Sequence, residues 1–417
     1  MAPQSANCRD RLEFATLSDI GLRRSNNQDS YSVAVAPSPT AWQQRGDLFM
    51  VADGMGAHAA GELASKLSTD TVPLVYHKLA DRSVPEAILA AVQEANTHIH
   101  SRGQGSPDFK GMGTTTSILL LTPQGAIVAH VGDSRIYRLR KNRLEQLTFD
   151  HSLVWEMRAQ GQIKDKVPDF IPKNVITRSL GPNATVQVDL EGPHPVLPGD
   201  TFLLCSDGLS GQVEDEELGM ILNCLAPDDA VRILVDLANL RGGPDNITVI
   251  VTRAIGSQWT RPQPTMPGDD VPIKTRPVNP IVWIAAGVLG LASFGLLGMG
   301  ATVAGLLTLV AAGAVAGGAL IYSLNGGEAP RYTGQRLGRG PYTATDCTPN
   351  AAFVGRLADV ARDLVEAAKQ GDLGVDWGRF NKLMDRGAAA ADFAQAVGQY
   401  CGAISFMIAE LKRLGQR

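Results

Sequence analysis

From residue 12 to about residue 255 the chain alternates short runs of Ile, Val, Leu and Tyr with longer stretches of helical spacing, the pattern of a mixed α/β domain. Residues 14–17 read as a first strand. They lead into a polar, turn-rich stretch at 18–30 that belongs at a surface or cleft. Residues 48–52 form an apolar strand that stops at Asp53. A helix is expected over 59–69 and another from Ser83, which stands as N-cap with Pro85 in the first turn. Ile88, Leu89, Val92, Ala95 and Ile99 give that second helix a core-facing stripe. Four short strands follow at 117–121, 126–131, 134–140 and 144–147, broken by Pro123-Gln124-Gly125, Gly132-Asp133 and Lys141-Asn142, so antiparallel meanders are expected. The stretch 150–180 is less regular and suits a surface flap with a short helix at 152–160. A strand at 201–205, a helix at 227–240 closed by Gly242-Gly243, and a last strand at 247–252 complete the domain.

Beyond it the pattern changes. Residues 256–280 carry six prolines (262, 264, 267, 272, 277 and 280) and few apolar side chains, as a semi-extended linker does. Residues 281–324 then run without a charge, about twice the ~20 residues that one membrane span needs. A glycine-rich middle at 295–300 divides the run into 281–297 and 302–324, which predicts a transmembrane helical hairpin in the lipid bilayer; one long tilted or buried helix is the alternative. Lys274 and Arg276 on one side, with Arg331, Arg336 and Arg339 on the other, put both ends in the cytoplasm. Residues 325–417 form a helical C-terminal region of two or three helices. Its first apolar stripe is Phe353, Leu357, Val360, Leu364 and Ala367, and 390–414 is similarly helical. A docking role and a structural cap are equally open for it. The organisation expected is therefore a tail at 1–11, a catalytic domain at 12–255, a linker at 256–280, the hairpin at 281–324 and the helical region at 325–417.

Composition narrows the partners. A net charge of -4 and the absence of long Lys/Arg runs exclude nucleic acid as the main partner, because phosphate neutralisation needs a basic face. The five cysteines, Cys8, Cys205, Cys224, Cys347 and Cys401, are scattered with no CxxC spacing, which argues against a zinc site or a disulfide framework. The N-terminus is polar and lacks the apolar core of a signal peptide, so the catalytic part is expected to stay in the cytosol.

The chemistry concentrates in aspartates at strand ends. Asp53 follows an apolar strand and precedes Gly54, Gly56 and Gly61, which let backbone approach whatever the carboxylate holds. A hard divalent cation fits that design; a carboxylate capping the helix that begins near residue 59 is the alternative. Asp207-Gly208 repeats the arrangement, Asp245 sits at another strand–turn junction, and Asp29 and Asp133 occupy similar turns. Carboxylates gathered without cations repel and raise their own pKa values, and ligands that are all oxygen favour Mg²⁺ or Mn²⁺ over Zn²⁺. Other motifs read blandly. Gly113-Thr114-Thr115 lacks the Lys of a phosphate loop, His130 lies inside a strand as a core histidine, and the adjacent Asp150-His151-Ser152 cannot assemble a triad.

Taken together, Asp19-x-Gly21-x-x-Arg24-x-x-Asn27-Gln28-Asp29, Ala52-Asp53-Gly54-Met55-Gly56, Gly113-Thr114-Thr115, Val131-Gly132-Asp133-Ser134-Arg135, Leu147-Thr148-x-Asp150-His151-Ser152, Ile176-Thr177-Arg178-x-Leu180-Gly181, Gly199-Asp200-x-x-Leu203-Leu204-x-Ser206-Asp207-Gly208-Leu209 and Asp245-Asn246-Ile247-Thr248 resemble the bacterial branch of the metal-dependent type 2C protein phosphatases. The resemblance implies an α+β fold, two packed antiparallel sheets flanked by helices, with two Mn²⁺ or Mg²⁺ ions in a cleft and a third, weaker site. Carried over by motif, Asp53 bridges both ions, the Gly54 carbonyl holds one of them, Asp207 and Asp245 complete the other, and Asp29 stands in a water-mediated shell. Asp133 with Asp207 serves the third ion, and Arg24 grips the substrate phosphate. The reaction implied is hydrolysis of phosphoserine and phosphothreonine on cytosolic proteins by a metal-activated water.

Two departures stand out. Gln28 replaces the family's usual Glu and contributes no charge. Met55 follows Asp53-Gly54 where eukaryotic members have His, leaving His58 as a candidate general acid or simply a helix-start residue. The expectation is a phosphatase at the inner cell membrane, multi-pass, with its catalytic domain cytoplasmic and an opposing Ser/Thr kinase as counterpart; the alternative is a catalytically weak phosphoprotein-binding adaptor.

Overall fold

The computed structural model describes residues 4–8, 11–56, 59–163, 167–168, 171–172, 175–260, 337–370 and 375–415, with short stretches between 288 and 313. Strands β1 (Gln4–Cys8) and β2 (Leu12–Asp19) open the fold, and β3 (Asp29–Ala34) and β4 (Asp47–Met55) follow with α1 (Pro39–Arg45) between them. Helices α2 (Ala60–Lys78) and α3 (Val84–Gly105) come next. The meander is β5 (Gly113–Thr114), β6 (Thr116–Thr122), β7 (Gly125–Val131), β8 (Arg135–Arg140) and β9 (Arg143–Gln146). After α4 (Leu153–Ala159) the chain forms β10 (Asp189–His194), β11 (Thr201–Cys205), α5 (Asp207–Ser210), α6 (Asp215–Cys224), α7 (Pro227–Leu240) and β12 (Ile247–Ala254). The C-terminal part adds β13 (Thr343–Asp346), α8 (Ala351–Gln370), α9 (Trp377–Ala388) and α10 (Phe393–Gly415).

These strands make two antiparallel sheets, in the orders β1-β2-β12-β11-β8-β9-β13 and β10-β7-β6-β4-β3, with β5 paired to β4 off the second. Strand alternation explains the layers. In β4, Phe49 and Val51 face the space between the sheets, where they meet Leu119, Ile136, Phe202 and Ile250; Leu48, Met50 and Ala52 face the opposite way onto α2 and α3. β11 does the same on the other sheet, with Phe202 and Leu204 inward and Leu203 and Cys205 toward α7. A strand buried on both faces reads as an unbroken apolar run, and each fully buried large aliphatic side chain contributes about 1.5–3 kcal/mol. This sandwich is the α+β architecture that the sequence led us to expect.

The elements differ from expectation at several points. Helix α2 runs nine residues beyond Thr69, through Pro73, because Val72 and Tyr76 are buried and the Tyr76 hydroxyl donates to the Arg45 carbonyl at 2.7 Å. Its N-cap is Ala59 with no side-chain cap, and Asp53 lies inside β4, so the helix-capping alternative for Asp53 is set aside. β3, β10, α6 and β13 were not legible as elements; they are polar-rich and acquire their form from their neighbours. The chain also stays packed beyond residue 255: Trp259 is buried against Trp42, ring centroids 5.4 Å apart, and its indole N–H donates to the Arg11 carbonyl.

Two compact units result, 1–265 with 336–417, and 266–335. Within the first unit β13 extends the sheet edge at β9, and α8–α10 share one core with α6 and α7. The second unit contains the whole of the expected hairpin at 281–324, which lies for the most part outside the described residues. Among the described residues no helix is long and apolar enough to cross a membrane. Cys205, Cys224, Cys347 and Cys401 are free thiols.

Candidate active site

Backbone pairing between distant strands assembles the site. In the β3–β4 register Asp29 lies directly opposite Asp53. β4 continues past Asp53, and Gly54 pairs with Thr114. The Asp53 N–H donates to Thr115 Oγ1 at 2.8 Å, while the Asp53 carbonyl accepts from the Thr115 N–H at 2.8 Å and from Thr114 Oγ1 at 2.9 Å. Gly113-Thr114-Thr115 therefore acts as a brace for the strand end. A Cβ on Gly54 would overlap the Gly61 carbonyl, and one on Gly208 would overlap that of Asn246, so both glycines are fixed by close backbone approach.

On the facing sheet β11 ends at Ser206 and α5 begins at Asp207. Ser206 Oγ donates to Asp29 Oδ2 at 2.7 Å and accepts from the Thr248 N–H at 2.9 Å, tying the two sheets together beneath the carboxylates. Asn246 is the second tie. Its Oδ1 accepts from the Gln28 N–H at 2.8 Å, and its Nδ2 donates to the carbonyls of Ile20 and Asn26. The loop that carries Arg24 is thereby fastened to the loop that carries Asp245, and Arg24 Nη2 donates to Asp245 Oδ2 at 2.6 Å. Sequence reasoning quoted Ser206 and Asn246 within motifs but gave them no role; only the fold shows what they join.

The carboxylates converge. Burial pushes the Asp29 carboxyl up to about 7, with Asp207 and Asp245 adding repulsion against the lowering effect of Ser206 and Thr248. Burial and the neighbouring charges of Asp207 and Asp150 push Asp133 to about 8. Asp53 is raised well above the usual carboxylate range by burial, then by Asp29, Asp207 and Asp133. Asp207 is raised by burial, then by the charge of Asp245, while Asp53, Arg24 and the Gly208 N–H oppose the rise. Asp29 and Asp207 are only half-buried as whole residues, yet one oxygen on each is sealed from solvent.

Those sealed atoms test whether cations belong here. Oδ1 of Asp29, Oδ1 of Asp133 and Oδ1 of Asp207 are buried and have no hydrogen-bond partner. A buried carboxylate oxygen left without a donor is costly, and a hard cation among oxygen donors satisfies it. Among the described residues no three His, Cys, Asp or Glu side chains are placed so that they could together hold a metal ion. The fit rests on the sealed oxygens and mutual repulsion of this group, to which backbone carbonyls such as that of Gly54 add donors. His58, the candidate general acid, lies outside the described residues. Gln28 Nε2 reaches the Gly56 carbonyl at 3.4 Å, beside the carboxylates.

The remaining candidates have other work. His130 is buried between Ser117 Oγ at 2.9 Å and the Phe149 carbonyl at 3.0 Å. Asp150 pairs with Arg135, His151 lies between the Gly132 N–H and Asp189, and Ser152 caps α4, so the three point to different partners.

Comparison with known proteins matches residues 23–237 to the family described as protein phosphatase 2C. The protein phosphatase PhpP of Streptococcus pneumoniae is 36% identical over 243 residues, 57% of this chain and 96% of that one. The Mycobacterium tuberculosis serine/threonine phosphatase PstP/Ppp is similar in structure, with a TM-score of 0.51 and 34% identity over 59% of this chain and 99% of that one. The Streptococcus agalactiae serine/threonine phosphatase gives a TM-score of 0.52 and 35% identity, covering 58% and 99%.

Proposed function

The chain belongs to the bacterial branch of the metal-dependent type 2C protein phosphatases, and from that premise we propose that it hydrolyses phosphoserine and phosphothreonine at the Asp29, Asp53, Asp133, Asp207 and Asp245 cluster. It is a serine/threonine protein phosphatase. The observation that carries the site is the convergence of carboxylates from both sheets with sealed, unpartnered oxygens on Asp29, Asp133 and Asp207.

In this reading Asp53, Asp207 and Asp245, with the Gly54 carbonyl, would hold two Mn²⁺ or Mg²⁺ ions with Asp29 in support, and Asp133 with Asp207 would hold a third. When bound, the ions lower the pKa of water and neutralise phosphoryl charge. The chain's own groups do the rest. Arg24 is half-exposed at the cleft edge and donates through Nη2 to Asp245 and through Nε to the Pro244 carbonyl, leaving Nη1 for phosphate oxygens. Ser206 and Thr115 keep Asp29 and Asp53 in register, so the donors are in place before substrate arrives. Gln28 orients water through its amide without adding charge.

The substrates proposed are phosphorylated Ser/Thr proteins, with the kinase that makes them as counterpart. We further propose that the charge-free run 281–324 holds the enzyme at the inner membrane with the catalytic unit in the cytoplasm; the sequence alone supports this, and carbonate extraction of membranes tests it. The activity is tested by phosphate release from a phosphothreonine peptide by the full chain, with Mn²⁺ and with chelator, beside Asp245→Asn. Mn²⁺-dependent turnover that the substitution abolishes is expected. A folded, metal-loaded protein without turnover would overturn the enzymatic reading in favour of phosphoprotein binding.

A further inference from the structure

A cavity of about 930 Å³ opens between α7 on one side and α9 and α10 on the other, with Leu17 and Asp19 of β2 in its lining and none of the five site aspartates among the lining residues. Its size falls within the range of small-molecule sites, about 300–1,000 Å³. The family match ends at residue 237, so α9 and α10, which supply one wall, lie outside the matched region.

The walls divide by chemistry. Leu225 and Ile233 from the α6–α7 side face Leu383 and Phe406 from the C-terminal helices. Against this apolar lining stand four cations besides the paired Lys412: Arg232 on α7, and Arg379, Lys382 and Arg386 on α9. The three on α9 are spaced i, i+3, i+7 and so share one helix face. None of the four has a carboxylate partner among the described residues. The cavity's acids are largely spoken for. Asp236 pairs with Lys412 at 3.5 Å and Glu410 with Arg413 at 2.7 Å, while Asp19 accepts from the Gly21 N–H and the Asn239 amide. Asp229 alone of the lining acids has no such partner among the described residues. Arg379 is held in place by Phe406, its guanidinium 4.9 Å from the ring centroid.

We propose that this cleft is a second ligand site, for an organic anion of nucleotide size: an apolar body against Leu225, Leu383 and Phe406, and a phosphate or carboxylate group against Arg232, Lys382 and Arg386. The four cations are exposed and offer an anion one shared positive face, and the apolar wall offers its body cover. An inorganic anion satisfies only the first, and a neutral hydrophobe only the second. The volume suits a small molecule, and because α9 and α10 of the C-terminal part supply one wall, the site is absent from a catalytic domain alone.

The test uses the full chain with chelator present, so that the carboxylate site holds no metal, and the aryl sulfonate dye 1-anilinonaphthalene-8-sulfonate as probe. Saturable binding with one dye per chain is expected, weakened at least tenfold in Lys382→Glu/Arg386→Glu and unchanged in Lys78→Glu/Lys110→Glu, whose exposed cations lie elsewhere. ATP should displace the dye at lower concentration than inorganic triphosphate. A variant that had lost its packing would bind more dye, so weaker binding reports the site and not unfolding. Equal dye affinity in the wild type and Lys382→Glu/Arg386→Glu would overturn the proposal, as would inorganic triphosphate competing as well as ATP.

Discussion

At Asp133 the cost of gathering carboxylates can be read as a pH dependence. Its carboxyl, pushed to about 8, and that of Asp29, pushed to about 7, keep protons in the folded chain that the unfolded chain has released above about 4. The folded state therefore binds more protons across that window, and the metal-free protein loses stability as pH rises through it. His130 works in the opposite direction lower down. Burial, then the neighbouring His151, hold its pKa near 3, so stability falls as pH drops below about 6.5. Between 6.5 and 8 the carboxylates alone decide the sign. Chelator-treated protein is expected to melt at a lower temperature at pH 8 than at pH 6.5, with Mn²⁺ closing the difference; calorimetry at both pH values checks it. Asp133→Asn should raise the metal-free melting temperature at pH 8 by several degrees while weakening Mn²⁺ binding. Asp133 was legible because it follows Gly132 at a strand end, and Asp29 because it closes a polar, turn-rich stretch. Ser206 and Asn246 were not, since their partners Asp29 and Gln28 are 177 and 218 residues away in sequence, and no local pattern carries that information.

Among the elements, strands buried on both faces could be read directly from the sequence, whereas those half in solvent could not. β11 and β7 are unbroken apolar runs, but β3, Asp-Ser-Tyr-Ser-Val-Ala, is only partly buried along its length and becomes a strand through its ladder with β4. α5 shows how tightly an element can be seated. It begins at Asp207, and Gly208 lies against the Asn246 carbonyl on the strand end that follows Asp245. A methyl group there cannot be absorbed by a rotamer change, because the obstacle is backbone. Gly208→Ala is expected to part α5 from β12, costing about 1–3 kcal/mol of stability and a larger share of activity through the displaced Asp207. Urea unfolding beside peptide hydrolysis checks both. Glu191 is the corresponding anchor for the C-terminal part: it is buried on β10 and accepts from the Arg339 and Gly340 N–H groups and the Tyr342 hydroxyl. Glu191→Ala removes the acceptors of all three hydrogen bonds at once, and faster hydrogen exchange over 337–346 is expected.

For the first compact unit as a whole, the question is whether 336–417 is an appendage or part of one cooperative structure. Composition suggested a separate helical region from residue 325. The packing joins it to the catalytic sheets, because β13 completes a sheet edge, Cys347 fills the space over Gly219 of α6, and Phe353 is buried in a core shared with α6 and α7. A shared core transmits the loss of any member to the whole, whereas two independent cores do not. Phe353→Ala, on α8, should cost about 3–5 kcal/mol. If the unit is cooperative, hydrogen exchange in the variant accelerates together in α6, α7, α8 and β12, and the protein keeps a single unfolding transition at lower temperature. Acceleration confined to α8–α10, with β12 as protected as before, would make the C-terminal helices a separable module resting on a phosphatase that folds without them.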